Sequence, residues 1–212
     1  MSRLLDVGLE QLTTILVNMG ETAEKVVRTS INGFMDGRNV SEQVGELSEI
    51  LVATTVSVED KAFELIVKYQ PVASDLRLIN SCMKIAYDFE RYGRYAWDIS
   101  STQQKFAASK QCVYSEDLME KIAEKTIHMV HTSVQALREN DGEMAKSLAE
   151  TENQVDELYS VYLDNLSKAP PKTKCLVCNL LVVRYLERIA DHATYIGEGI
   201  YYLATGKKIL LR

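Results

Sequence analysis

Apolar residues recur along the chain at helical spacing. Leu5, Leu9, Leu12, Leu16, Met19, Ala23 and Val26 are separated by 4, 3, 4, 3, 4 and 3 positions, the seam of a helix packed in a bundle. That seam runs to about Phe34 and stops at Asp36-Gly37, a glycine stop signal. A second seam follows through Val40, Val44, Leu47, Leu51, Val58, Ala62, Leu65 and Tyr69 and is broken at Pro71, whose ring clashes with the preceding helical turn. Ser74 is the expected N-cap of a third helix with the seam Leu76, Ile79, Met83, Ala86, Phe89, Gly93 and Ala96. The pattern fades over Ser100–Ser115, which reads as a frayed helix end and linker. A fourth helix is expected over Glu116–Glu139, with a turn at Asn140-Asp141-Gly142. A fifth covers Glu143–Ser167, with Leu148, Val155, Leu158 and Tyr162 on one side, and stops at Pro170-Pro171. The sixth carries Leu186, Ile189, Ala193, Ile196, Ile200 and Leu203 and ends near Gly206.

The six predicted helices form two sets of three, each with a proline break before its third member. Each third helix contains an apolar residue followed by Glu-Arg, at Phe89-Glu90-Arg91 and Leu186-Glu187-Arg188, an offset of 97 residues. This is an internal repeat. The expected fold is all-α, two tandem antiparallel three-helix bundles in a spectrin-repeat-like arrangement, over residues 1–105 and 112–212.

Composition narrows the function. The chain has 212 residues with 10 Gly and 3 Pro, too few breakers for most β-sandwiches or nucleotide-binding α/β folds. Its net charge of −6 argues against a nucleic-acid platform. Charges such as Lys174 and Arg184 interrupt every apolar run before it reaches the ~18 residues a membrane span needs. The first residues lack an apolar export core, so the cytoplasm is the expected compartment. Cys82, Cys112, Cys175 and Cys178 do not make a disulfide scaffold, and Cys175-Leu-Val-Cys178 lacks a second ligand pair for zinc and reads as core or near-core.

Two pairs of acids stand out. Glu187 and Asp191 are four apart on the sixth helix, and Glu152 and Asp156 have the same spacing on the fifth. Each pair therefore shares one helical face. If the helices are antiparallel neighbours, the four carboxylates converge and repel one another unless a cation intervenes. Oxygen-only donors select a hard ion such as Mg²⁺, Mn²⁺, Ca²⁺ or iron. The competing reading is an ordinary charged face, with Arg184 paired to Glu187 and Arg188 to Asp191 at i+3. His128, His131 and His192 make no Glu-x-x-His motif, which disfavours a di-iron enzyme; they read as bundle-edge or partner-facing residues, with His192 able to supplement the acids. The tyrosines Tyr87, Tyr92, Tyr95, Tyr195, Tyr201 and Tyr202 read either as a recognition surface or as packing with hydroxyls at the bundle edge. Neither a phosphate-cradling glycine loop nor a nucleophile elbow occurs.

The chain resembles the PhoU family of phosphate-uptake regulators over nearly its whole length. The segments that carry the resemblance are Arg184–Ala193, with its Glu-Arg-Ile-Ala-Asp core, Gln154–Tyr159, Gln70–Arg77 and Phe89–Gly93. The resemblance implies a fold of two three-helix bundles and a metal site in each, built from paired acid motifs on adjacent helices. In the second half the matching positions are Glu152, Asp156, Glu187 and Asp191, and the implied cofactor is a divalent or iron cation (Fe, Mg, Mn or Zn). In the first half the matching positions hold Ser48, Val52, Glu90 and Arg94. That set is short of ligands, and Arg94 is expected to bridge internally to Glu90. The resemblance also implies a non-catalytic negative regulator of phosphate transport and signalling. Its expected partners are phosphate ABC transporter components and a sensor histidine kinase, with attachment to the membrane through them and a homodimeric state. The rival readings are a metal-dependent enzyme and a metal-storage or metal-sensing protein using the same acids.

Overall fold

The structure is a computed structural model, and it describes residues 4–106, 116–168 and 173–211, without the side chains of 173 and 174. Six helices account for almost all of it: α1 Leu4–Asp36, α2 Ser41–Tyr69, α3 Ala73–Phe106, α4 Glu116–Glu139, α5 Gly142–Ser167 and α6 Thr173–Thr205. No strand occurs among the described residues. Among them, no helix is long and apolar enough to cross a membrane.

Within each half every helix packs on the other two, α1 with α2 and α3, and α4 with α5 and α6. The expected seams form the two cores, Leu12, Leu16, Leu51, Val58, Ile79 and Phe89 in the first half and Leu148, Val155, Leu186 and Ile196 in the second, where Met119 and Met129 of α4 join them. The bundles do not stand apart. α3 lies along α6 and α1 along α4, and one continuous buried cluster runs through both halves. Gly199 permits the closest approach of α6 to α3; a Cβ there would sit 2.9 Å from Ile85 Cγ1. Gly20 does the same on α1, where a Cβ would meet Phe89 Cζ at 3.0 Å and Val134 at 3.4 Å. The expected boundary falls largely on residues 107–115, outside the described residues.

The turns follow their sequence signals in part. Asp141 caps α5, accepting hydrogen bonds from the backbone N–H groups of Glu143 (2.9 Å) and Met144 (3.0 Å). Gly37 ends α1 in the left-handed region, with φ 69°. Ser74, expected to cap α3, instead lies inside a helix that begins at Ala73, and its hydroxyl donates to Asp75 Oδ1 at 3.4 Å.

The larger correction concerns the end of α3. The helix does not fray at Ser100; it continues to Phe106. Two of its polar residues there, Ser100 and Gln103, are buried and partnered by α1. The Ser30 hydroxyl donates to the Ala96 carbonyl at 2.7 Å and lies 3.0 Å from Ser100 Oγ, while Gln103 Nε2 donates to the Gly33 carbonyl at 3.2 Å. A helix face that looks polar in sequence is thus a hydrogen-bonded seam rather than a solvated one. Ser30→Ala should therefore cost about 1 kcal/mol, since it leaves buried partners unmatched. A denaturant midpoint lowered with an unchanged slope is the expected reading.

Candidate functional site

α5 and α6 run antiparallel and bring the two acid pairs to one region. Glu152, Glu187 and Asp191 are nearly buried, at 5%, 6% and 8% exposure, whereas Asp156 is exposed at the rim. The side chains are close enough to feel one another. Burial raises the Asp156 carboxyl above its ordinary range, and repulsion from Glu187 adds to this. Asp191 is raised in the same way, by burial first, then by Glu187 and, more weakly, Asp156. The acids of adjacent helices therefore share a height along the bundle, which spacing alone does not determine.

Arginines hold two of these carboxylates. Arg184 Nη1 donates to Glu187 Oε2 at 2.7 Å. Arg188 takes the same carboxylate in a fork, Nε to Oε2 and Nη2 to Oε1, both at 2.8 Å, and its Nη2 also reaches Asp191 Oδ2. The i+3 pairings read from sequence are both present. Among the described residues no three acid, His or Cys side chains gather in ligating geometry. The donor chemistry nevertheless suits a hard cation: every donor is a carboxylate oxygen, and four carboxylates against two guanidiniums leave a formal −2 among these six groups.

The corresponding region of the first half is a groove of about 390 Å³, lined by Ser48, Val52, Glu90 and Arg94 together with Glu49, Arg91, Trp97 and Asp98. The four positions matched by sequence do meet. The expected internal bridge from Arg94 to Glu90 is not the pairing found; Arg94 Nε faces Asp98 Oδ2, one turn further on, at 3.9 Å, and the Arg94 side chain is 65% exposed. Gly93 lets α2 and α3 close at this point, since a Cβ there would lie 2.6 Å from Leu51 Cδ1 and 3.4 Å from Ser48 Oγ.

A second polar feature sits between the halves. Asp88 on α3 and His192 on α6, both almost buried, share a hydrogen bond of 2.7 Å between Oδ1 and Nδ1. Burial raises the Asp88 carboxyl, and the His192 bond and charge oppose that shift. Tyr95 and Tyr195 pack on the imidazole at 5.6 and 5.2 Å between ring centroids. His192 is thus neither a bundle-edge residue nor aimed outward at a partner. His131 and His128 are exposed; His131 Nδ1 bridges to Glu24 of α1 at 3.0 Å. Sequence reasoning passed over Asp88. Its signal was an acid next to the seam residue Phe89, but nothing in the spacing ties it to His192.

Most of the tyrosines pack. Tyr92 is fully buried with its hydroxyl 3.2 Å from Ser133 Oγ, and Tyr95 stacks on Tyr185 at 6.2 Å. Tyr87, Tyr195 and Tyr202 line a groove of about 800 Å³ that opens beside Asp88. Cys178 is core, and Cys175, half-buried at the start of α6, is near-core, both as expected; Cys175 is disulfide-bonded.

At the offset of 97 residues, Asp88 corresponds to Tyr185 and Tyr95 to His192. The Asp88–His192 pair and the Tyr95–Tyr185 stack therefore occupy equivalent positions about an approximate two-fold axis between the halves. Fold and site together define a duplicated helical-bundle protein whose third helices pack on each other and carry charged groups at their edges. A family model described as the PhoU domain matches residues 16–102 and 119–200. The chain belongs to the PhoU family. It is 30% identical to a phosphate-specific transport system accessory protein PhoU homolog of Clostridium acetobutylicum, over 98% of this chain and 97% of that one. A similarly named Pseudomonas aeruginosa protein is 28% identical over 98% of this chain and 88% of its own length. The crystal structure of PhoU from Pseudomonas aeruginosa superposes with a TM-score of 0.90 at 27% identity, covering 95% of this chain and 99% of that one. That of the phosphate transport system regulatory protein PhoU from Streptococcus pneumoniae gives 0.85 at 20% identity, covering 97% and 99%, and speaks to the fold.

The inter-half pair supplies a test. His192→Phe strands a buried carboxylate and should cost about 3 kcal/mol. Adding Asp88→Leu should recover most of that loss, so a denaturant double-mutant cycle should show strong coupling.

Proposed function

We propose that this protein is a cytoplasmic negative regulator of phosphate uptake and of phosphate-dependent signalling. It acts by contact with phosphate ABC transporter components and a sensor histidine kinase, and it catalyses no reaction. Family membership along both halves is the observation that carries this reading, together with relatives named as phosphate-specific transport system accessory proteins. Long helices with grooves along their seams suit a docking scaffold. Deleting the chain from its host should switch on a phosphate-starvation reporter in phosphate-replete medium, and restoring it should switch the reporter off. An unchanged reporter would overturn the reading.

We further propose a cation site in the second half, held by Glu152, Asp156, Glu187 and Asp191. The formal −2 of the acid–arginine group and the repulsion felt by Asp156 and Asp191 support it. A divalent or iron cation there would be held by carboxylate oxygens from both helices, bracing α5 against α6 or shaping the face offered to a partner. In the first half Ser48 and Val52 offer no carboxylate and Arg94 brings a positive charge, so binding is confined to the second half. Asp191→Asn should leave the helices formed, because Leu186, Ile189 and Ala193 are untouched, and should weaken cation binding. Calorimetric titration with Mn²⁺ and far-UV circular dichroism check this together. Unchanged affinity in Asp191→Asn, or anomalous density beside Glu90, would refute the assignment.

A further inference from the structure

The outward face of α2 is apolar where a solvated helix would be polar. Val52, Val56, Phe63 and Val67 are 49%, 52%, 55% and 76% exposed. At about 100° per residue the four fall within an arc of about 60°, and they extend over about 22 Å of helix. They form one stripe rather than scattered apolar positions.

The charges that α2 itself sets beside the stripe are acidic, while on the α3 side Arg91 and Arg94 share a groove with Val52 and Glu49, and Lys84 shares one with Glu59. Glu49 and Asp60 lie along one edge and Glu59 along the other. None of these three has an ion-pair partner among the described residues. The lysines of α2, Lys61 and Lys68, are both tied to Glu64, at 3.2 and 2.5 Å, on the side of the helix toward α1. The face therefore presents hydrophobic area with Glu59 and Asp60 at its middle, neither of them ion-paired among the described residues, and Lys84 as the cation nearest Glu59 along the groove.

We infer that this face docks an amphipathic helix whose apolar side is bordered by lysine or arginine. A second copy of this chain is the wrong occupant. The stripe is centred between residues 59 and 60, so a two-fold pairing would set Glu59 and Asp60 against their own copies. An anionic membrane surface is repelled for the same reason. A basic amphipathic helix buries the four apolar side chains and places its cations opposite the acids. This deepens the regulator reading above, and rests on it, by naming the surface and the chemistry of the partner.

The probe is a synthetic leucine/lysine amphipathic helix of about 18 residues, about 27 Å long, with a leucine/glutamate helix of the same pattern as control. Fluorescence anisotropy should show binding of the lysine peptide alone. The exposed double change Phe63→Ser/Val67→Ser should weaken it about tenfold or more, and Glu59→Lys/Asp60→Lys should weaken it and flatten its salt dependence. Equal binding of the glutamate peptide, or unchanged binding by both variants, overturns the proposal. So does a dimer in sedimentation that Phe63→Ser dissolves, which would assign the face to a second copy. In cells, the Phe63→Ser/Val67→Ser chain should fail to silence the phosphate-starvation reporter. If it silences the reporter fully while deletion of the chain derepresses it, the α2 surface is refuted and the regulator reading stands. If deletion has no effect, the regulator reading falls, and the peptide measurement alone judges the surface.

Discussion

The confinement of α6 governs the chemistry of the second half. This helix packs on α4 and α5 within its own bundle and on α3 of the other, so only a narrow edge of it reaches water. Glu187 and Asp191 stand at that edge with 6% and 8% exposure. Carboxylates so placed lose much of their hydration and must find compensating charge. The guanidinium fork of Arg188 and the single bond from Arg184 provide it. A free helix of the same sequence would have no such demand, and its Arg–Glu pairs would be the weak contacts of any solvated face.

The same confinement explains why the seam between the halves tolerates a polar pair. Asp88 and His192 each satisfy the other, and two tyrosine rings keep solvent from the imidazole. Around them the seam is made close by small residues. Gly199 admits Ile85 of α3, and Gly20 admits Val134 of α4. Close apolar packing lowers the local dielectric response, which strengthens a matched pair and penalises an unmatched one.

Much of this was legible in the chain itself. The seams at 4 and 3 residue intervals give the helices, the Glu-Arg repeat gives the duplication, and the match of Ser48 and Val52 to Glu90 and Arg94 places four residues in one groove. What escaped the sequence was set by tertiary pairing. Ser100 and Gln103 look like a frayed end until Ser30 and the Gly33 carbonyl are brought beside them. Arg94 has acids at both i−4 and i+4, Glu90 and Asp98, and only the fold selects Asp98. The Asp88–His192 bond joins residues 104 apart on different bundles, and no periodicity reports such a contact.

That bond has a consequence for how a duplicated protein stays one molecule. Two first halves brought together through α3 would each set Asp88 against Tyr95, the repeat counterpart of His192, and two second halves would set His192 against Tyr185. Neither arrangement supplies an acid with its imidazole. Only unlike halves do, so the pair acts as a key that discourages exchange of bundles between chains and favours closure of each chain on itself.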